Sequence, residues 1–309
     1  MGLARELLLK GSESRWLADQ LSRRRFVKRA VTRFMPGEAM EDAVDAAKTL
    51  RASGITSLLT LLGENVDSVT AASGVAAEYE SLLARAGSDA LDTDISATPT
   101  LLALDPGFDV AIENLRSLTA PTASRPGLVA VDMESTRYVE PTLDLYRRLR
   151  GEHENVGLCL QSYLYRTADD LDDLLSLEPM IRLVKGAYKE PADLAYPKKS
   201  DVDANFLRLS DVLLEAARDG FARVAFGTHD ENMISEINRR SAAMGVPRER
   251  YEFQMLYGIQ RDQQVTLANA GYRMRVLISY GAFWFPWYMR RLAERPANVG
   301  FVVRSMMKG

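Results

Sequence analysis

From residue 55 onward, short apolar or β-branched runs alternate with stretches whose apolar residues recur at helical spacing. Eight runs read as strands: Ile55–Leu62, Ile95–Leu102, Leu128–Met133, Val156–Gln161, Ile181–Val184, Arg223–Thr228, Tyr251–Gln254 and Arg273–Ile278. Seven amphipathic segments link them: Asp67–Ala86, Phe108–Leu118, Pro141–Arg150, Ala168–Leu177, Ala204–Asp219, Asn232–Met244 and Gln263–Ala270. Alternation of this kind predicts a parallel α/β sheet. Eight repeats favour closure into a (β/α)8 barrel of TIM type over an open doubly wound sheet. Ahead of the repeats the pattern is helical. Trp16, Leu17 and Leu21 lie near one face, and Phe26, Val27 and Ala30 continue it. A second helix over Glu38–Ala52 follows Pro36-Gly37, with Met40, Val44, Ala47 and Leu50 at helical spacing. The basic run Arg23-Arg24-Arg25 reads as a solvated helix face. The chain therefore divides into an N-terminal helical arm, 1–50, and a barrel, 51–309. No low-complexity linker interrupts it; Thr119–Gly127 is the most loop-like stretch.

A length of 309 residues suits one barrel with extra helices. A net charge of −3 gives no electrostatic case for nucleic acid. A single cysteine, Cys159, fits a reducing cytoplasm, and with only His153 and His229 beside it a metal site is not expected. No run approaches the roughly 20 apolar residues of a membrane span, so the expected location is cytoplasmic, with peripheral contact at the inner membrane face left open. Gly-rich dinucleotide and P-loop fingerprints and a G-x-S-x-G elbow are all absent from the sequence.

Barrel enzymes carry their chemistry at the C-terminal ends of the strands. Those ends read Gly63-Glu64-Asn65, Thr98-Pro99-Thr100, Asp132-Met133-Glu134, Gln161, Lys185-Gly186-Ala187-Tyr188, Gly227-Thr228-His229-Asp230 and Gln254-Met255-Leu256, and the last strand leads to Tyr280-Gly281 and a helix with Arg290-Arg291. Such a mixed-charge ring suits an anionic cofactor and a zwitterionic substrate; the competing reading is a set of ion pairs that hold the rim. A strand-end lysine, Lys185, also suits a flavin-free Schiff-base aldolase or lyase.

These residues carry a resemblance. Arg182-Leu183-Val184-Lys185-Gly186-Ala187-Tyr188 looks like the fifth-strand motif of proline dehydrogenases, and Arg290-Arg291-Leu292-Ala293-Glu294-Arg295-Pro296-Ala297-Asn298 resembles the final helix of that family. Tyr251 to Gly258, Thr228-His229 and Leu62-Gly63-Glu64 match as well, in order and spacing, so the likeness runs from about Glu38 to Val303. The resemblance implies a distorted barrel with its last helix over the mouth, non-covalent FAD, oxidation of proline in proline catabolism, and electron transfer to quinone, with oxygen as the other acceptor. By matched position, Arg182 would approach the flavin and Val184, Lys185, Gly186, Ala187 and Tyr188 would line it. Met133, Gln161, Lys199, Thr228, His229, Gln254 and Glu294 would hold the rest of FAD. Arg290 and Arg291 would clamp a substrate carboxylate, Glu64 would pair with Arg290, and Asp132, Tyr188 and Leu256 would face the substrate. Two guanidinium forks match a carboxylate bidentately and fix its orientation.

The likeness breaks at three positions. Thr98 stands where the family has a lysine, Leu277 and Trp287 where it has tyrosines, and no lysine occurs between Lys48 and Lys185. Asp132 is therefore expected to lack a cationic partner. Two expectations follow: a related amino acid or hydrazine-like amine whose nitrogen meets Asp132, or a divergent enzyme that still takes proline. A homologue that binds ligand without turnover is the remaining reading.

Overall fold

The structure is a computed structural model and describes residues 31–63, 65–122 and 127–294. Its strands are β1 (Thr56–Leu61), β2 (Thr93–Ala97), β3 (Val129–Val131), β4 (Val156–Gln161), β5 (Met180–Val184), β6 (Arg223–Gly227), β7 (Tyr251–Leu256) and β8 (Arg273–Tyr280). Each pairs in parallel with the next, and β8 pairs with β1, closing the barrel. The expected (β/α)8 architecture is present.

Nine helices are described: α1 (Met40–Arg51), α2 (Val69–Ser88), α3 (Phe108–Thr119), α4 (Val139–Glu152), α5 (Thr167–Leu175), α6 (Lys199–Asp219), α7 (Glu231–Ala243), α8 (Arg261–Asn269) and α9 (Trp284–Glu294). Helices α2 to α8 each follow one strand. Helix α1 packs against β1 and β8 through Ala43, Val44, Ala46 and Ala47, whose small side chains allow close approach. With that seam covered by α1, α9 is free to lie elsewhere. It packs into a separate cluster, in which Trp284, Phe285 and Tyr288 meet Val31, Phe34, Met35 and Leu62. Residues 1–30 of the expected arm, and residues 295–309, lie outside the described residues.

One strand departs from expectation. The pattern predicts β2 over Ile95–Leu102, whereas it runs Thr93–Ala97 and Pro99–Leu102 forms a 3-10 turn. Pro99 has no N–H for the ladder, which ends the strand early.

Side chains alternate across each strand. Outward residues such as Leu59, Ile95, Val129, Leu158, Ile181, Phe226, Phe253 and Val276 are buried against the helices and form the main core. Parallel register carries the other face around the barrel: Ser96 pairs with Ala130, Cys159 with Arg182, Arg182 with Ala225, Ala225 with Glu252 and Gln254 with Arg275. This inward face is strongly polar. Arg223 on β6 donates to Asp94 on β2 at 3.2 Å, a contact between non-adjacent strands that crosses the barrel interior. Arg275 Nε lies 3.1 Å from Glu252 Oε1 and 3.2 Å from Asp94 Oδ2, and its Nη1 donates to the Ser57 carbonyl at 2.8 Å. These residues plug the floor of the barrel with balanced, hydrogen-bonded charge.

Candidate active site

Above that plug, the mouth opens into two adjoining chambers of about 500 Å³ and 290 Å³. Thr98, Asp132, Leu256 and Leu277 line both and form their common wall.

The larger chamber brings together Met133, Gln161, Arg182, Val184, Lys185, Gly186, Ala187, Tyr188, Lys199, Thr228, His229 and Gln254. The sequence assigns each of these to the cofactor. Glu134, Gly227, Asp230 and Met255 complete the lining. The chain can turn away after β5 because Gly186 has φ +112°, and a Cβ there would run into the Tyr163 ring. The smaller chamber adds Thr60, Leu61, Leu62, Gly63, Ser279, Phe283, Pro286 and Trp287. It is mostly apolar, and α9 forms its outer side through Pro286 and Trp287. Glu64 lies outside the described residues, as do the side chains of Arg290, Arg291 and Glu294, which belong to α9.

Arg182 is 8% exposed at the bottom of the larger chamber. Its Nη2 donates to Asp132 Oδ1 and to Ser96 Oγ, while Nε and Nη1 are buried with no partner among the described residues. The expectation that Asp132 lacks a cation is thus corrected. Arg182 reaches it across the barrel from β5, and Ser96 adds a hydrogen bond of 2.6 Å. Thr98 Oγ1 stands 3.5 Å from the second oxygen, Oδ2, too far for more than a weak contact.

Two glutamines complete the polar lining. Gln161 Nε2 donates to the Met133 carbonyl at 3.1 Å, and Gln254 Nε2 donates to Glu252 Oε1 at 2.6 Å. Both Oε1 atoms are buried without a partner among the described residues. The Leu256 N–H donates to His229 Nε2 at 2.9 Å, so this ring is neutral and carries its proton on Nδ1.

At the rim, Lys185 lies 2.6 Å from Asp203 and 3.0 Å from Asp230, and Lys199 pairs with Asp203. Partial burial pushes the carboxyls of Asp203 and Asp230 up, but the Lys185 ammonium outweighs it and holds both below the usual range. A Schiff-base lysine needs an uncharged amine free to attack, so this double ion pair speaks against the aldolase reading. Asp203 is a neighbour of this rim that the sequence reading left out, and Asp230, named there at a strand end, was given no role. The i, i+4 spacing of Lys199 and Asp203 was the available signal.

Among the described residues no cluster of His, Cys, Asp and Glu could hold a metal ion, and no helix is long and apolar enough to cross a membrane.

Comparison with known proteins adds four findings. A family model described as proline dehydrogenase matches residues 43–304. The proline dehydrogenase of Deinococcus radiodurans is 40% identical over 296 residues, covering 94% of each chain. Proline dehydrogenase 1 of Bacillus subtilis strain 168 is 38% identical over 276 residues, covering 89% of this chain and 90% of that one. Among solved structures, proline utilization A from Bdellovibrio bacteriovorus, inactivated by N-propargylglycine, superposes with a TM-score of 0.80 at 24% identity. That match covers 94% of this chain but 36% of the larger protein, and it bears on the fold alone.

Proposed function

The chain belongs to the proline dehydrogenase family, and from that premise we propose that it is an FAD-dependent dehydrogenase that oxidises the C–N bond of proline or a closely related amino acid. The observation that carries this reading is a set of buried atoms, on residues that line the larger chamber, with no partner among the described residues: two donor positions on Arg182 and two acceptors, Gln161 Oε1 and Gln254 Oε1. Buried polar groups are nearly always paired, and leaving one bare costs roughly 1–3 kcal/mol. A planar heterocycle with two carbonyl oxygens and one N–H, carried on a hydroxyl-bearing chain, offers acceptors to the guanidinium and donors to the two amides, and the residues present therefore fit a flavin.

Bound FAD would supply the acceptor for the hydrogen and electron pair that leave the substrate carbon. The protein's own contribution is to bind and orient. Arg182 presents a cation where the ring would gain negative charge, and Asp132 keeps that guanidinium in place. Gln161, Gln254, Thr228 and His229 line the same chamber, and Lys199 stands at its rim. The smaller chamber, walled by Leu61, Leu256, Leu277 and Trp287, suits an apolar ring. Asp132 lines both chambers, and its Oδ2, held only by the weak Thr98 contact, can accept a hydrogen bond from a substrate nitrogen. Arg290 and Arg291 on α9 are assigned to the substrate carboxylate, with Glu64 as the partner of Arg290 and Glu294 toward the cofactor. Quinone is the proposed electron acceptor. Phe283, 74% exposed beside the smaller chamber, is the side chain through which the mouth would touch a membrane surface.

The visible spectrum of the purified protein tests the reading. A yellow protein with a flavin spectrum, bleached anaerobically by proline, is expected. Proline, hydroxyproline, pipecolate and hydrazine-containing acids then rank the substrate. A colourless protein that is trapped on Lys185 by borohydride in the presence of substrate would sink the proposal.

A further inference from the structure

Gln161 and Gln254 both line the larger chamber, and in each the side-chain carbonyl oxygen is buried with no partner among the described residues. Each amide nitrogen is pinned by a group that only accepts, so the orientation follows from chemistry. For Gln161 the pin is a backbone carbonyl. For Gln254 it is the Glu252 side chain, which is 2% exposed and sits in the floor plug. Glu252 Oε1 also accepts from Arg275 Nε at 3.1 Å, and Arg223 Nη2 lies 3.6 Å from Oε2. Burial pushes the Glu252 carboxyl up, but Arg275 and Arg223 outweigh that and hold it below the usual range. An ionised carboxylate cannot donate. The Gln254 NH2 must therefore stay on Glu252, which leaves Oε1 as the end of the amide still open to a partner.

Resting on the flavin reading above, we propose that Glu252 is a positioning residue for the cofactor: it holds the Gln254 amide so that Oε1, and not the NH2, meets the bound ring. The oxidised isoalloxazine has one ring N–H, flanked by two carbonyls. An acceptor matches it; an amide turned the other way would set donor against donor, and mismatched buried groups are strongly disfavoured. The floor plug would then have two roles. It closes the barrel, and through one side chain it sets the polarity of the cofactor's bed.

A double-mutant cycle on the full-length holoenzyme tests this, with FAD release on dilution followed by flavin fluorescence. Gln254→Met removes the acceptor and is expected to speed release about tenfold, the worth of one buried hydrogen bond. Glu252→Gln frees the amide to turn and is expected to do the same. The double variant should release FAD no faster than Gln254→Met alone, because Glu252 acts through Gln254. A merely structural Glu252 gives the other result, with effects that multiply to about a hundredfold, and that overturns the proposal. So does unchanged release from Gln254→Met. Should Glu252→Gln fail to fold, Glu252→Asp replaces it. It keeps the charge beside Arg275 but withdraws the carboxylate from the amide by one methylene. It should speed release in the wild-type background and not in the Gln254→Met background. A wild-type protein that carries no FAD would overturn the flavin reading itself, whereas a multiplying cycle in a yellow protein overturns only the role of Glu252.

Discussion

Two buried arginines face the inside of the same barrel at opposite ends, and their surroundings differ in one respect. Arg275, at the floor, is 1% exposed; its Nε meets Glu252 and Asp94, its Nη1 the Ser57 carbonyl, and its Nη2 lies 3.7 Å from Asp92. Arg182, at the mouth, is 8% exposed and directs only Nη2 to oxygen acceptors; the weakly accepting Cys159 thiol lies beside it, and Nε and Nη1 have no hydrogen-bond partner among the described residues. Burial is therefore not what separates a structural arginine from a binding one. Saturation is. A guanidinium whose three nitrogens all face acceptors or carboxylates offers little to a ligand, whereas unpartnered buried donors are tolerated where a ligand completes them.

The sharpest way to break this comparison is to remove each cation in turn. Arg275→Met leaves Asp94 and Glu252 buried with Arg223 alone between them, and losing one member of a buried ionic set costs about 3–5 kcal/mol. The melting temperature should fall by roughly 5–8 °C, with the larger chamber otherwise intact. Arg182→Met should do the converse. Asp132 keeps Ser96 and partial solvent access, so the melting shift is the smaller of the two. FAD release should quicken by about 10- to 100-fold, because bonds from charged donors are worth roughly 1.5–3 kcal/mol. If Arg182→Met lowers the melting temperature as far as Arg275→Met and leaves FAD retention unchanged, the contrast between the two ends is wrong.

pH separates the ends by sign. Burial raises the Asp94 carboxyl to about 6, against the pull of Arg275 and Arg223. Its unfolded value is near 3.9. Between those values the folded state holds a proton that the unfolded state has released. The stabilising contribution is therefore complete below about pH 4 and is lost as pH rises through 6, on the order of 3 kcal/mol. At the rim, Asp203 and Asp230 have lowered values. Their contribution is present above the unfolded carboxylate range and disappears as pH falls through the folded values. Chemical denaturation of Asp94→Asn beside the parent chain isolates the floor. The parent's advantage should shrink from pH 4 to pH 7, and an advantage that grows over that range would contradict the assignment.

The same two regions mark what could be read from the chain. The repeats were visible because the outward residues of each strand are apolar whatever the barrel encloses. Ile95 and Val129 declare their strands without help from the interior. The interior was less legible. Thr93 and Asp94 belong to β2 but read as loop, since an acid in a strand looks like an error until Arg223 and Arg275 are seen to meet it from β6 and β8. Asp132 looked bare for the same reason: Arg182, 50 positions away in the chain, reaches it from across the barrel. Ion pairs that span a closed sheet leave no periodic trace. The lining of the larger chamber, by contrast, could be listed almost whole because strand ends are a topological address, and Lys185, Thr228, His229 and Gln254 all sit at one.

The smallest expected effect concerns the cover of the mouth. Helix α9 is held by a cluster of its own, apart from the main core, and the Trp284 Nε1–H donates to Glu38 Oε1 at 3.0 Å. Trp284→Phe keeps an aromatic ring in that cluster and removes the donor, which is worth about 1 kcal/mol. Because α9 and the barrel floor belong to different clusters, the loss should be local. Amide exchange in α9 should quicken about fivefold while exchange in β4 and β5 and the global melting temperature stay as they were. Loss of protection spreading equally through the strands would mean that the cover and the barrel open as one unit. The mouth would then share the stability of the floor, and the division drawn between Arg182 and Arg275 would hold for chemistry but not for folding.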